Sequence, residues 1–419
     1  MKYSVVTFGC RVNQADSLGF EEDLLARGAV PVAPDEADLV LVNTCSVTAT
    51  ADQGARQTIR RIARDNPAAR IVVTGCYATR RPDEIGGLPN VVRVIPNDDK
   101  PRLIPIIAAD FDLTTAARYG QGDGACGAAI EPGLAGRTSF TLRVQTGCAE
   151  QCSYCIIPVT RGQPRSVSLA AILDEVQRIS AAGFKEIALT GVHLGSYGRD
   201  LAPASSLVAL LRELEGRSAG DVLFRISSLE PMDCSREIVK LVGDGCFAPH
   251  FHLPLQHASD GMLAAMCRPY TIAYYDALVD FIRARIPHAS IGSDVIVGFP
   301  GETESDFAQL LAYLERSPLT HVHVFPYSDR PGTAATSMRG KVPGAIVRER
   351  GRRVREVAAR LAERFRQCQI GSIRPGLTLD DGSSVVTDNY LKLRIPAGRP
   401  RNERVRVLIR SAHEGELVA

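Results

Sequence analysis

Short apolar runs alternate with helix-length stretches along most of this chain, and that alternation restricts its fold more than any other feature. Tyr3–Phe8, Leu39–Asn43, Ile71–Thr74 and Val91–Ile95 read as strands, with helices at about Ala15–Arg27, Ala49–Arg64, Arg80–Gly86 and Lys100–Ala109. Continuously apolar strands are covered on both faces, so these βα units predict a parallel, doubly wound sheet. Six further strands are expected at Thr141–Gln145, Glu186–Thr190, Leu223–Ser227, His250–Pro254, Ser293–Val297 and His321–Phe325, each followed by a helix. Six units are too few for a closed eight-fold barrel, which predicts an open partial (β/α)6 barrel with functional groups at the strand C-termini. The fold class is therefore α/β, divided at 1–118, a Gly- and Ala-rich linker over 119–136, and the barrel with a basic helix over 137–368. The tail, 369–419, reads as short strands broken by Asp-Gly, Pro and Gly, a small all-β domain of a kind that often carries RNA contacts.

The net charge of +2 conceals an asymmetry. Arg339–Arg374 holds eleven Lys/Arg against three Glu, the last 45 residues are near neutral, and the first 338 carry a net −7. A basic block on an acidic body suggests a polyanion partner. The same stretch also reads as an ordinary solvated helix, because Val347, Val354, Val357 and Leu361 fall on one face. No run is long and apolar enough to span a bilayer, and the opening residues enter a strand directly, so a cytoplasmic location without membrane contact is expected.

Eleven cysteines in a reducing compartment are expected to be ligands or catalysts rather than disulfides. Cys148, Cys152 and Cys155 follow the first barrel strand closely enough to wrap one face of an iron–sulfur cube, leaving one iron open. Zinc would need a fourth Cys or His at short spacing, and none follows. Cys10, Cys45 and Cys76 each stand just beyond a predicted parallel strand, at the edge where doubly wound sheets bind ligands. They form a second three-thiol set with an open position. Cys126, Cys234, Cys246, Cys267 and Cys368 have no ligand spacing and read as non-ligands.

The stretch Gln145-Thr-Gly-Cys148-Ala-Glu-Gln-Cys152-Ser-Tyr-Cys155 resembles the motif of radical S-adenosylmethionine (SAM) enzymes. With Thr7-Phe-Gly-Cys10-Arg-Val-Asn13-Gln14, Asn43-Thr-Cys45 and Thr74-Gly-Cys76, nearly the whole chain is similar to the methylthiotransferase family. That resemblance implies two [4Fe-4S] clusters, SAM, and a carboxyl-terminal TRAM domain for RNA. It further implies a 5′-deoxyadenosyl radical that takes hydrogen from adenine C2, sulfur delivered from the Cys10/Cys45/Cys76 cluster, and a methyl group from a second SAM. Leu189-Thr-Gly-Val-His-Leu-Gly-Ser-Tyr-Gly198, Ser227-Ser-Leu-Glu-Pro231 and His250-Phe-His-Leu-Pro-Leu-Gln256 most resemble the branch acting on N6-threonylcarbamoyladenosine beside the tRNA anticodon. The sister branches act on isopentenyladenosine in tRNA or on an aspartate of a small-subunit ribosomal protein. By resemblance Tyr154, Gly191, Gln256 and Arg161 contact SAM, and Asp294–Glu302 forms its adenine-binding strand and turn. The partners implied are a tRNA anticodon stem-loop, an electron donor such as flavodoxin or ferredoxin, and a sulfur donor. Two departures stand out: His257-Ala-Ser replaces an expected Ser-Gly-Ser, and the short tail suggests a minimal β-domain.

Histidines 250 and 252, like 321 and 323, share a strand face and could line the site or bind metal. A cobalamin-dependent radical SAM methylase has a similar layout, but residues 1–192 contain no histidine to serve its usual Asp-x-His-x-x-Gly ligand. A non-catalytic RNA-binding module would leave six placed cysteines unexplained.

Overall fold

The computed structural model describes residues 1–111, 113, 131–133, 138–217 and 222–418. Most of the predicted linker, and Cys126 within it, lies outside these residues. The N-terminal strands are β1 (Lys2–Thr7), β2 (Val30–Pro31), β3 (Leu39–Thr44), β4 (Arg70–Gly75) and β5 (Val91–Ile95), all parallel, in the order β2-β1-β3-β4-β5. Alternate residues of these strands feed two cores. Val40, Val42, Ile71 and Val73 pack on helix Ala49–Asp65 through Ala55, Ile59 and Ile62. Leu39, Leu41 and Val72 pack on the opposite side with Phe20 and Leu24 of helix Arg11–Ala26 and with Leu103 and Ile107. The sheet is thus covered on both faces, as its uninterrupted apolar strands require.

Two expected helices are broken. Arg80–Gly86 spans the junction of helices Cys76–Arg80 and Pro82–Gly86, because Pro82 disfavours helical geometry at Arg81. Lys100–Ala109 begins instead in a 3-10 turn, Asn97–Arg102, with Pro101 inside it, and becomes α-helical only from Leu103.

The central unit contains β6 (Phe140–Arg143), a small antiparallel pair β7 (Gln145–Thr146) and β8 (Arg165–Ser166), then β9 (Glu186–Thr190), β10 (Leu223–Ile226), β11 (His250–His252), β12 (Ser290–Val297) and β13 (His321–Pro326). β6, β9 and β10 form one parallel sheet and β11, β12 and β13 another. Parallel bridges Phe224–Phe247 and Ser228–His252 join them into six strands in chain order, leaving β6 and β13 as free edges. This is the open partial barrel, backed by helices capped at Ser168, Ser235, Thr271 and Thr303.

The N-terminal unit lies across that opening. On the β6 side, buried Asp16 accepts from Lys100 Nζ at 2.8 Å and pairs with Arg143 and, at 3.6 Å, with Arg161. Burial alone would raise this carboxyl, but Lys100, Arg143 and Arg161 outweigh it and hold it below the usual range. On the β13 side, buried Arg330 donates to Asp52 Oδ2 at 2.6 Å, and Ala49 N donates to Ser328 Oγ at 3.1 Å.

The basic stretch is one long helix, Gly344–Gln369, which buries Val354, Val357 and Leu361 against the barrel. Much of its charge is answered locally, Arg350 by Glu302 and Glu304, Arg352 by Glu349 and Glu356, and Arg360 by Glu315. The tail is larger than its length suggests. β14 (Ile373–Leu379), β15 (Ser384–Thr387), β16 (Lys392–Arg394), β17 (Arg404–Ile409) and β18 (Gly415–Val418) form an antiparallel sheet in the order β16-β15-β14-β17-β18. It curls around Val385, Leu393, Val407 and Ile409.

Candidate active site

Cys10, Cys45 and Cys76 follow β1, β3 and β4, three adjacent strands, so the sheet brings their thiols together at one edge. The turns that present them are tied to one another. Asn13 Nδ2 donates to Phe8 O at 2.8 Å and Thr44 O at 3.0 Å, while Asn43 Nδ2 donates to Asn13 O at 2.9 Å. Thr44 Oγ1 donates to Thr74 O at 2.6 Å and accepts from Ala78 N at 3.2 Å. Glycine precedes two of the three cysteines for a steric reason. Gly9 has φ +91° and a Cβ there would stand 2.7 Å from Cys45 Sγ; Gly75 has φ +101° and its Cβ would meet Thr44 O at 2.2 Å. Burial pushes the Cys45 thiol up to about 11, with the Cys76 and Cys10 sulfurs adding to the effect.

The second trio sits on one loop after β7. Cys148 N donates to Gly162 O at 3.1 Å, Cys155 N to Cys152 O at 3.1 Å, and Ser153 is anchored through Met266 O and Ala265 O. Burial pushes Cys155 up to about 12, with Cys152 and Cys148 adding to it. Two basic groups face this trio. Arg268 Nη1 donates to Cys152 Sγ at 3.0 Å and its other nitrogen pairs with Glu230. His193 Nε2 lies 2.7 Å from Asp233 Oδ2. Burial would lower this imidazole, but its hydrogen bonds to Asp233 and Cys148 raise it to about 9.

Cys10, Arg161 and Gly191 line one cavity of about 420 Å³, together with His250, His252 and His323. Tyr154 and Gln256 line an adjoining cavity of about 190 Å³ with Asp294 and Phe325, and Val47 borders both. Gln256 has φ +63° and is held in the strand layer by Gln256 N→Asp294 O and Ile296 N→Gln256 O, each 2.8 Å. The departure at His257 is accommodated internally: the ring is fully buried, accepts from Ser259 N at 3.0 Å, and lies 3.6 Å from Glu302. Arg161 is not part of a surface salt bridge. It is 3% exposed, donates to Asn13, and faces Asp16 and Cys76 of the N-terminal unit. His252 Nε2 is 3.1 Å from Asp294 Oδ1, and with His323 these groups present three ligand atoms within 4.8 Å, a set that could hold a divalent metal.

Residues 2–96 match the uncharacterized protein family UPF0004, and residues 142–314 match the radical SAM superfamily. The chain is 36% identical over 98% of its length to the whole of the threonylcarbamoyladenosine tRNA methylthiotransferase MtaB of Aquifex aeolicus. It is 34% identical to the Bacillus subtilis protein of the same name, across 86% of this chain and 80% of that one. The chain belongs to the radical SAM tRNA methylthiotransferase family. The dimethylallyladenosine branch of this family is also near, with 34% identity to the Prosthecochloris aestuarii tRNA-2-methylthio-N(6)-dimethylallyladenosine synthase over 85% of this chain and 81% of that one. In three dimensions the chain is similar to the radical SAM methyltransferase TsrM of Kitasatospora setae, with TM-score 0.57, 17% identity, and coverage of 80% and 74%. That likeness concerns the fold alone.

A methylthiotransferase of this family modifies tRNA and uses SAM and [4Fe-4S] clusters. The donors present fit such clusters. Each trio offers three soft sulfur ligands and leaves a position open, and buried thiols that stay protonated on their own ionise when a metal supplies the compensating charge. All ten described cysteines are free. Among the described residues no helix is long and apolar enough to cross a membrane. Sequence reasoning missed His193, Arg268 and the Asn13–Asp16–Lys100–Arg161 junction, since each acts through a partner distant in the chain. The Gly-Cys-x-x-Asn pattern at Gly9–Asn13 was the one local signal available.

Proposed function

We propose that this enzyme converts N6-threonylcarbamoyladenosine beside the tRNA anticodon to its 2-methylthio derivative, with sulfur entering at adenine C2. The observation that carries the reading is the cavity shared by Cys10 from the N-terminal sheet and Gly191 from the barrel. Cys148, Cys152 and Cys155 would hold one cluster and Cys10, Cys45 and Cys76 the other. When bound, these groups and SAM supply reductive cleavage of the sulfonium and the transferable sulfur. The chain's own task is placement and enclosure. Gly191 backbone would receive the SAM amino group, Gln256 the ribose, and Tyr154 would wall the adjoining cavity; Arg268 and His193 donate towards the Cys152 and Cys148 sulfurs. Arg161 would balance charge at the Cys76 side. The curled C-terminal sheet is assigned the role of a TRAM-like RNA contact. A flavodoxin or ferredoxin would provide electrons, and a separate donor would restore sulfur.

The test is anaerobic reconstitution, then incubation with SAM, a reductant and tRNA carrying threonylcarbamoyladenosine, with nucleosides read by mass spectrometry. The 2-methylthio product is expected. Cys148→Ala should lose 5′-deoxyadenosine formation, whereas Cys10→Ala should keep it and yield no methylthio nucleoside. Full product from either variant would sink the assignment.

A further inference from the structure

Arg11 and Arg161 line the shared cavity, and Arg225 stands over the ring of Tyr390 in its wall; Arg161 and Arg225 are already matched. Arg161 faces Asp16, and Arg225 holds Glu186 through nitrogens at 2.8 and 3.2 Å. Arg11, the residue after Cys10, lines the cavity and has no carboxylate partner among the described residues. Its Nη2 instead donates to Tyr390 Oη at 3.1 Å, across 379 positions of chain.

Tyr390 is delivered to that place at a conformational cost. Its φ is +72°, a left-handed geometry that a bulky side chain adopts only when its surroundings enforce it. The enforcing contacts come from the barrel, the end of the long helix and β14. Arg225 Nη1 donates to Asp388 O at 3.1 Å, Asn389 Nδ2 donates to His288 O at 3.0 Å and Gln369 Oε1 at 2.9 Å, and Arg374 pairs with Asp388 at 2.5 Å. The tyrosine ring then lies 4.7 Å from that of His250 and beneath the Arg225 guanidinium, yet remains 45% exposed. The same wall carries two buried polar atoms without a hydrogen-bond partner, His250 Nδ1 and Ser227 Oγ.

We infer that Arg11, supported by Tyr390, is the receptor for the carboxylate of the N6-threonylcarbamoyl group, with His250 and Ser227 available to its hydroxyl and urea atoms. This rests on the substrate proposed above and extends it to specificity. A guanidinium aimed into a cavity favours a carboxylate through charge-assisted, fork-shaped hydrogen bonding. Orphaned polar atoms are satisfied by a ligand that brings its own donors and acceptors. A dimethylallyl group offers neither. The contact would also make the N-terminal unit, the barrel and the C-terminal sheet read one substituent jointly.

The test measures equilibrium binding by the reconstituted enzyme, without SAM, to anticodon stem-loop RNAs that differ only at the N6 substituent. Four are needed: threonylcarbamoyl, its methyl ester, dimethylallyl and unsubstituted adenosine. The acid should bind about tenfold or more tighter than the ester, and Arg11→Leu should remove that advantage while leaving the ester and unsubstituted RNAs unchanged. Arg11→Lys should restore part of it, and Tyr390→Phe should weaken the acid alone. Iron content and thermal melting of each variant establish that it is folded and loaded. Equal loss by Arg11→Leu on all four RNAs would reduce Arg11 to a backbone contact and overturn the inference, as would equal binding of acid and ester by the unaltered enzyme. A preference for the acid over dimethylallyl that survives both Arg11→Leu and Tyr390→Phe overturns this receptor but leaves the substrate assignment standing. Preference for dimethylallyl overturns both.

Discussion

The two cysteine trios assemble by opposite routes. Cys148, Cys152 and Cys155 lie within eight residues, and their loop is pinned by short-range contacts such as Cys155 N→Cys152 O. Cys10, Cys45 and Cys76 are spread over the first 76 residues and meet only because β1, β3 and β4 are neighbours in one parallel sheet. One site is thus carried by a loop, the other by a topology. Any loss of the N-terminal sheet should abolish the second kind and spare the first.

The largest expected effect separates them outright. Cys76→Ser and Cys155→Ser should each lower reconstituted iron from about eight to about four atoms per chain, with the surviving cluster visible by electron paramagnetic resonance. Complete loss of iron in either variant would show that the two sites do not form independently.

Next is the joint between the units. Asp16→Asn would leave Lys100 buried beside Arg161 with no carboxylate between them, at a cost of about 3–5 kcal/mol in unfolding free energy. Denaturant titration followed at both units checks this. A loss below about 1 kcal/mol, the worth of an exposed pair, would show that the junction is hydrated in solution.

A smaller effect compares the two glycines. Gly75→Ala forces a Cβ to within 2.2 Å of Thr44 O at φ +101°, and Gly147→Ala forces one to within 2.0 Å of Gln163 O at φ +77°. Each should cost about 1–3 kcal/mol. Gly75→Ala should impair only the Cys76 cluster and Gly147→Ala only the Cys148 cluster, as read by iron content after reconstitution.

The smallest effect is one of pH. Burial, then repulsion from His252 and His323, lowers His321 from 6.5 to about 4. The unfolded chain therefore binds this proton at higher pH than the folded one, so stability contributed by the neutral ring is full above about 6.5 and declines as pH falls towards about 4. His321→Asn should flatten the stability profile in that window. No histidine occurs in residues 1–192, so the N-terminal unit contributes no imidazole to that window; burial of Glu22, which raises its carboxyl to about 7, is a carboxylate counterpart there.

How far each region could be read in the sequence follows from the same contrast. Cys148, Cys152 and Cys155 were legible because spacing within a loop limits their separation directly. Cys10, Cys45 and Cys76 were legible only through the inference of a parallel sheet, which rested on the apolar runs Leu39–Asn43 and Ile71–Thr74; the strands that contain them are buried on both faces. The strands β2 and β18 were missed because Val30–Pro31 and Gly415–Val418 are too short or too polar to show a period. Arg11 was visible only as a neighbour of Cys10, and Tyr390 carried no signal at all. Nothing in a single exposed tyrosine between Asn389 and Leu391 tells that it meets a guanidinium almost four hundred residues away.

The chain alone determined the βα alternation, the placement of six cysteines at strand ends, and the acidic body with its basic helix. These depend on local periodicity and spacing, which the backbone's own geometry turns into structure. Tertiary structure decided which charges are spent and which remain available. Arg161 and Arg225 are matched by Asp16 and Glu186, and the basic helix is largely matched by its own glutamates and those of the barrel. Arg11 is left facing a cavity with a tyrosine to hold it. Electrostatic pairing is settled by distance in space, and the sequence carries that distance only through the fold.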